Sequence, residues 1–203
     1  MAEVAAAHEV PEAVRSGNLR AVLLGAPGSG KGTQAEFLAA ALGVPAISTG
    51  AMLRDAVALG SALGSKVAGI MGSGALVDDG LMAEVIRDRL DRPDASRGFL
   101  LDGYPRTTGQ AATLDEILEE CRGKLDAVVL LEVPEAVLVQ RAVARRRDDD
   151  REEVIRERLR VYREKTEPLV DHYERRSLLT RVDGEQAVAD VAAAILRALG
   201  RRA

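Results

Sequence analysis

The segment Gly25-Ala26-Pro27-Gly28-Ser29-Gly30-Lys31-Gly32-Thr33 decides the fold of this chain. The apolar run Leu19 to Leu24 precedes it and predicts a β-strand, and the alanine-rich segment Gln34 to Leu42 after it predicts a helix. A glycine-rich segment ending in lysine, between a strand and a helix, is the signature of a phosphate-binding P-loop. A turn that merely connects strand to helix would explain two of these glycines but not the whole string with its lysine.

Each residue type in this loop suits a polyphosphate. Glycines let backbone N–H groups turn toward one point, and the helix N-terminus adds a dipole that favours anions. Lys31 would reach the β and γ phosphates. The residues that we expect to hold the triphosphate are Gly28, Ser29, Gly30, Lys31, Gly32 and Thr33.

The metal that accompanies a triphosphate needs oxygen ligands, and this loop departs from the usual position of the hydroxyl residue. Gly32 follows the lysine, and the hydroxyl comes one place later at Thr33, so we expect Mg²⁺ to be held mostly by phosphates and water. Asp102 ends the apolar run Gly98 to Leu101 and would orient that water. Its alternative role is to initiate a turn before Gly103.

The rest of the chain repeats the alternation of strand and helix. Further strands are predicted at Gly98 to Leu101, Asp126 to Val133 and Leu178 to Val182, and a closing amphipathic helix at Glu185 to Leu199. This order predicts an α/β fold with a parallel sheet covered by helices on both faces. The length of 203 residues fits one compact domain.

Composition narrows the partners. Apolar residues make up 47% and charged residues 30%, and the net charge is −4, which is typical of a soluble globular protein and argues against nucleic acid or a membrane as a partner. Cys121 is the only cysteine, which favours a reducing compartment and so the cytoplasm. Residues 1–18 lack the apolar core of a signal peptide, and we expect a disordered lead or a misassigned start there. On charge alone, the arginines between 141 and 163 could form a local anion site or a solvated helix face.

Two more segments accompany the loop and make the sequence specific. They are Ser48-Thr49-Gly50-Ala51-Met52-Leu53-Arg54, and Leu101-Asp102-Gly103-Tyr104-Pro105-Arg106 with Gln110. In this order and spacing the three segments resemble adenylate kinases, and the resemblance extends from Leu19 to the C-terminus. It implies a P-loop kinase fold in a single domain 19–203, with a small NMP-binding flap at 48–77 and a short lid at 144–150. It also implies reversible phosphoryl transfer from MgATP to AMP, giving two ADP.

The resemblance assigns roles residue by residue. The catalytic residues would be Lys31, Arg106, Arg141, Arg147 and Arg158. ATP would also contact Arg141, Arg145 and the backbone carbonyl of Gln186, and the acidic residues Asp149 and Asp150 would help to close the lid. Arg106 would bind the AMP phosphate and Gln110 would read the adenine edge. The full AMP set would be Thr49, Arg54, Ala75, Leu76, Val77, Gly103, Tyr104, Pro105, Arg106, Gln110, Arg147 and Arg158.

Three departures from the family pattern stand out. Ala51 replaces a residue that is usually acidic, and Tyr104 replaces a common phenylalanine. Only Arg146 lies between Arg145 and Arg147, where many relatives carry a long insertion that sometimes holds zinc through four cysteines. We therefore expect no structural zinc, and a monomer whose partners are ATP, AMP and ADP.

Two other functions remain possible from the residues. A UMP/CMP kinase shares the loop and the arginines but commonly has alanine where Thr49 stands. A P-loop module that binds nucleotide without transferring phosphate is the second alternative. Arg54, Arg106 and Gln110 count against it because such a module does not need a second nucleotide pocket.

Overall fold

The computed structural model describes residues 19–120, 123–145, 147 and 150–200. Its central layer is a five-stranded sheet in the order β2-β3-β1-β4-β5, and every neighbouring pair is parallel. The strands are β1 (Arg20–Leu24), β2 (Ala46–Ser48), β3 (Phe99–Asp102), β4 (Ala127–Glu132) and β5 (Leu179–Asp183). The α/β fold predicted from the sequence is confirmed.

Helices cover both faces of this sheet. In the described ranges they are α1 (Lys31–Leu42), α2 (Thr49–Ala58), α3 (Ala62–Ser73), α4 (Asp79–Leu90), α5 (Thr108–Glu120), α6 (Glu135–Arg145), α7 (Glu152–Val161), α8 (Pro168–Arg175) and α9 (Val188–Gly200). A 3₁₀ turn at Pro93–Ala95 leads toward β3, and a π-helical turn at Tyr162–Thr166 joins α7 to α8.

Strand β1 shows why residues 21–24 form a continuous apolar run. Val22 and Leu24 point to the face covered by α4, α5 and α8, while Ala21 and Leu23 point to the face covered by α1 and α9. All four side chains are buried because a central parallel strand has no solvent-facing side. Two hydrophobic layers therefore hold the sheet from opposite sides.

Strand β2 and the last helix differ from the sequence predictions. Strand β2 was not predicted, because three residues at the edge of a sheet carry too little pattern to be recognised. The last helix begins at Val188 rather than at Glu185. The backbone N–H of Glu185 instead donates to Asp183 Oδ1 at 2.9 Å, and Gln186 Nε2 donates to Asp183 Oδ2 at 3.0 Å, so these residues form a turn.

The carboxyl edge of the sheet is where a ligand is expected. The chain passes from β1 to β2 and β3 on one side, whereas β4 and β5 lie on the other, so the strand order reverses at β1. A crevice at the carboxyl end of such a strand is the usual ligand site of this architecture. In the strand register Ser48 lies opposite Asp102, and Asp102 lies opposite Leu23 of β1. All three residues therefore lie at this edge of the sheet.

Helices α2 and α3 form a tight pair outside the sheet. A Cβ on Gly64 would overlap the backbone carbonyl of Ala56, so only glycine permits the helices to approach this closely. No single helix in the described part of the chain is long and apolar enough to cross a bilayer. This pair passes that test together by length and composition alone, and it bends by 114°.

Candidate active site

The P-loop begins α1 earlier than its sequence predicts. The helix starts at Lys31 rather than at Gln34, because Gly30 adopts a left-handed conformation (φ 92°) and turns the chain directly into the helix. Gly28 is also left-handed (φ 90°), and a Cβ there would overlap the backbone of Leu138 in α6. The loop is thus held against α6, with the helix N-terminus open toward the crevice.

Lys31 is folded back onto the loop that carries it. Its Nζ donates to the carbonyl oxygens of Gly25 at 2.7 Å and Ala26 at 3.0 Å, and to Ser29 Oγ at 3.3 Å. These acceptors take the place that phosphate oxygens would have. A bound triphosphate would therefore compete with the loop for the ammonium group.

The electrostatic surroundings of Lys31 are strongly positive for a chain of net charge −4. Burial lowers the pKa of Lys31 to about 8; Asp102 opposes this shift, and the guanidinium groups of Arg106, Arg158 and Arg145 add to it. Three guanidinium groups thus lie close enough to Lys31 to disfavour its charge. An anion bound there would relieve that repulsion.

Asp102 lies beside the loop at the end of β3. Ser48 Oγ donates to Asp102 Oδ2 at 3.0 Å, and a Cβ built on Gly32 would lie 3.6 Å from that same oxygen. Within the described ranges, no three His, Cys, Asp or Glu side chains are grouped so that they could hold a metal ion. These residues fit an Mg²⁺ held by phosphates and water, with Asp102 orienting the water. The expected absence of zinc stays a prediction, since Cys121 lies outside the described residues.

A cleft of about 710 Å³ opens over the P-loop. All of the residues predicted for ATP line it, together with Asp102 and several residues predicted for catalysis or for AMP. They are Gly28, Ser29, Gly30, Lys31, Gly32, Thr33, Arg54, Asp102, Gly103, Pro105, Arg106, Arg141, Arg145, Arg147, Arg158 and Gln186.

A second, smaller pocket adjoins the first beneath α2 and α3. Its lining includes Thr49, Arg54, Ala75, Leu76, Val77, Gly103, Arg106, Gln110 and Arg158. Arg54, Arg106 and Arg158 line both pockets. Tyr104, which was predicted among the AMP residues, lines neither pocket and is 1% exposed within the core.

The loop after β3 is held at several points. The backbone N–H of Arg106 donates to Gln110 Oε1 at 2.8 Å, and Arg106 Nε donates to the carbonyl of Gly103 at 2.8 Å. Thr166 Oγ1 donates to the carbonyl of Arg106 at 2.9 Å, and Thr49 Oγ1 donates to that of Gly103 at 2.9 Å. Thr49, expected to face the base, thus uses its hydroxyl to position this loop.

Asp150 organises the lid residues that the structure describes. Its side chain, 1% exposed, accepts two hydrogen bonds from Arg145 at 2.6 and 2.9 Å and one from the backbone N–H of Arg147 at 3.0 Å. Arg158 Nη1 lies 3.5 Å away. Burial opposes its ionisation, but the Arg145 and Arg147 hydrogen bonds hold the pKa of Asp150 below its usual value. The lid residues Arg146 and Asp149 lie outside the described residues.

Arg141 connects α6 to the turn after β5. Its Nη1 donates to the carbonyl of Gly184 at 2.8 Å and its Nη2 to that of Glu185 at 3.2 Å. This turn carries Gln186, whose backbone carbonyl was predicted to meet the ATP base. Arg141 therefore fixes the position of the turn as well as lining the cleft.

Three positioning residues were not recognised from the sequence. Ser48 orients Asp102, Thr166 supports Arg106, and Asp79 accepts a hydrogen bond from Gln110. Ser48 sits within a quoted motif, and its place at a strand end could have identified it. Thr166 depends on a π-helical turn, which has no reliable sequence signal.

Gly74 brings the α2–α3 pair into contact with α7. It is left-handed (φ 80°), and a Cβ there would lie 3.1 Å from Arg158 Cγ and 3.2 Å from the carbonyl oxygen of Val154. Both distances are tighter than ordinary contact. A side chain at this position would push the α2–α3 pair away from the helix that carries Arg158.

Comparisons with known proteins agree on one family. Residues 23–178 match the adenylate kinase family model. An adenylate kinase from Nocardia farcinica is 50% identical over 183 residues, which span 90% of this chain and all of that relative. An adenylate kinase from Sinorhizobium medicae is 47% identical over 191 residues, spanning 89% of this chain and all of the relative. One from Archaeoglobus fulgidus is 42% identical over 201 residues, spanning 84% and 93% of the two chains.

Proposed function

This chain belongs to the adenylate kinase family, and we propose that its two adjoining pockets bind MgATP and AMP for reversible phosphoryl transfer that gives two ADP. The reaction keeps the concentrations of ATP, ADP and AMP in balance. ATP occupies the cleft over the P-loop, and AMP occupies the smaller pocket under the α2–α3 pair.

One observation carries this proposal: Arg54, Arg106 and Arg158 line both pockets. A transferred phosphoryl group passes from one nucleotide to the other, so it must cross the boundary that these arginines share. Planar guanidinium groups donate in pairs to phosphate oxygens and stay charged at neutral pH. A module that only held one nucleotide would have no use for cations at such a boundary.

The chemistry needs positioning and charge neutralisation rather than a base. The acceptor is an AMP phosphate oxygen that is already anionic, so no side chain has to remove a proton. Lys31 would neutralise the donor phosphates, and Arg106, anchored through Gly103 and Thr166, would hold the acceptor phosphate in line. Arg141, Arg145 and Arg147 line the donor side of the cleft.

Members of this family generally use Mg²⁺ with ATP. Asp102, held by Ser48, would orient water on that ion, which supplies charge neutralisation of the phosphates when bound. The NMP-binding flap is residues 48–77, and the short lid is residues 144–150 of a single domain, 19–203. We also propose that the protein is a cytoplasmic monomer without nucleic-acid or membrane partners. Size-exclusion chromatography with light scattering tests the oligomeric state.

The experiment is a coupled assay of ADP formation from MgATP with AMP, GMP, CMP and UMP as acceptors. We expect AMP to be strongly preferred; a preference for UMP or CMP would identify the other kinase, and ADP formation that no acceptor increases would refute the proposal. Arg158→Ala should abolish most activity. Arg160→Ala is the matched control, because Arg160 is on the same helix and pairs at the surface with Glu157 and Glu164.

A further inference from the structure

We propose that Asp79 is a specificity-determining positioning residue: it fixes the side-chain amide of Gln110 in one orientation, so that the acceptor pocket takes a 6-amino purine and rejects a 6-oxo purine. The inference rests on the proposed function, since it assumes that the nucleoside monophosphate base lies against Gln110. Asp79 itself lines neither pocket and acts through Gln110.

Gln110 lies at the start of α5 and is 2% exposed. Its Nε2 donates to Asp79 Oδ1 at 2.7 Å, and its Oε1 accepts from the backbone N–H of Arg106 at 2.8 Å. The amide is therefore held at both ends by groups of the protein. It also lines the smaller pocket, so its remaining hydrogen-bonding capacity is available to a ligand.

These two partners leave the amide only one orientation. A carboxylate can only accept a hydrogen bond, and a backbone N–H can only donate one. Rotating the amide by 180° would set its oxygen against the Asp79 carboxylate and its NH₂ group against the Arg106 N–H. Both hydrogen bonds would be replaced by repulsive pairs in a buried site.

Asp79 is itself well anchored. Thr107 Oγ1 donates to Asp79 Oδ2 at 2.8 Å, so each carboxylate oxygen has its own partner. Asp79 also occupies the first turn of α4, where the helix dipole favours a negative charge. The carboxylate is thus fixed before any nucleotide binds.

The fixed amide distinguishes bases by their polarity. After its two protein contacts, Gln110 retains one lone pair on Oε1 and one N–H on Nε2. Adenine offers an amino donor beside a ring-nitrogen acceptor, which complements that pair. Hypoxanthine offers an oxo acceptor beside an N–H donor, so the same placement of the base would oppose acceptor to acceptor and donor to donor. An amide free to rotate would accept either base.

The test compares AMP with IMP, which differ only in this edge of the base. Asp79→Asn and Asp79→Ser each replace the carboxylate by a group that can either donate or accept, so both remove one of the two constraints on the amide and leave only the Arg106 N–H. We expect kcat/KM for AMP relative to IMP to fall about tenfold in each variant, the effect of one lost charge-assisted hydrogen bond. The change should appear mainly as a lower KM for IMP with kcat little altered, because the base is read equally in the bound and transition states.

Asp78→Asn is the matched control. Asp78 is the neighbouring carboxylate, and it caps α4 by accepting from the N–H groups of Gly80 and Leu81, a role that asparagine also fills. This variant removes the same charge but leaves Gln110 untouched, and its ratio of AMP to IMP should stay that of the wild type. Circular dichroism and thermal unfolding establish that each variant is folded.

The outcomes separate this inference from the proposed function. A wild-type enzyme that prefers AMP to IMP, with a ratio unchanged within about twofold in both Asp79 variants, would overturn the role of Asp79 and leave the kinase intact. An equal fall of the ratio in Asp78→Asn would also overturn it, since charge alone would then explain the effect. A wild-type protein that phosphorylates neither nucleotide would overturn the proposed function itself.

Discussion

Lys31 makes ATP binding depend on pH in a direction that the structure determines. In the free protein the pKa of Lys31 is lowered from 10.5 to about 8, chiefly by burial. Bound phosphates would favour the charged ammonium and raise that pKa again. Because the complex then holds a proton more firmly than the free protein, binding takes up protons above about pH 8, and affinity falls as the pH rises.

The magnitude follows from the fraction of charged lysine. At pH 7 the free protein carries almost all of its Lys31 as ammonium, whereas at pH 9 only about one molecule in eleven does. ATP affinity should therefore be about tenfold weaker at pH 9 than at pH 7. ATP phosphates are fully ionised across the upper part of this range, so their own titration does not produce the fall.

Isothermal titration calorimetry of MgATP in buffers of different ionisation enthalpy measures both the affinity and the protons taken up. We expect proton uptake close to zero at pH 7 and close to one per ATP at pH 9. The variant Lys31→Met should bind MgATP weakly at every pH. Its binding enthalpy should not change with the buffer, because no proton is taken up. A wild-type affinity that is constant from pH 7 to 9.5, without proton uptake, would refute the reasoning.

Three further predictions concern single substitutions. Arg106→Ala, with circular dichroism to confirm folding, should cost about 3 kcal/mol of transition-state stabilisation, read as a fall in kcat/KM for AMP; near-normal turnover would contradict its assignment. Tyr104→Phe should leave the free energy of unfolding in urea unchanged or raise it by about 1 kcal/mol, because its buried hydroxyl has no hydrogen-bond partner among the described residues; a loss above that size would show a hidden partner. Arg147→Ala should lower kcat far more than it raises the KM for ATP, because the contact would form mainly in the transition state. The wild type should also release phosphate slowly from MgATP without AMP, since a short lid shields the γ phosphate poorly. A release rate equal to the enzyme-free control would contradict that view of the lid.

Sequence reasoning succeeded where a local pattern determines the structure. The P-loop contains three glycines, Gly25, Gly28 and Gly30, with backbone conformations that other residues rarely adopt. The central strands are encoded by runs that must be apolar on both faces. Strand β2 was missed because its three residues form a strand only through pairing with β3. The local sequence around β2 does not include β3, which lies about fifty residues further along the chain.

The site residues also fall into two groups, those that a local pattern identifies and those that depend on distant parts of the chain. Loop and motif residues that line the cleft could be named in advance, because each carries a group that phosphate or adenine requires. The residues that hold them could not, since Thr166 and Asp79 reach Arg106 and Gln110 across 60 and 31 positions of the chain. Tyr104 was also assigned to AMP from the motif, but its side chain packs into the core while Gly103 and Pro105 on either side line the cleft, so its contact with AMP stays a prediction.

The contact at Gly74 bears on how such enzymes can be recombined. The flap meets α7 at a position where neither a side chain nor an ordinary backbone conformation fits, so the surfaces of the two segments are matched to each other. A chimaera that takes only its lid and α7 from a longer-lidded relative would bring a new surface against Gly74. It should lose AMP affinity even with every nucleotide-binding side chain retained, whereas a chimaera that takes flap and α7 together should keep it. We therefore expect the two segments to be exchangeable only together, although more than seventy residues separate them along the chain.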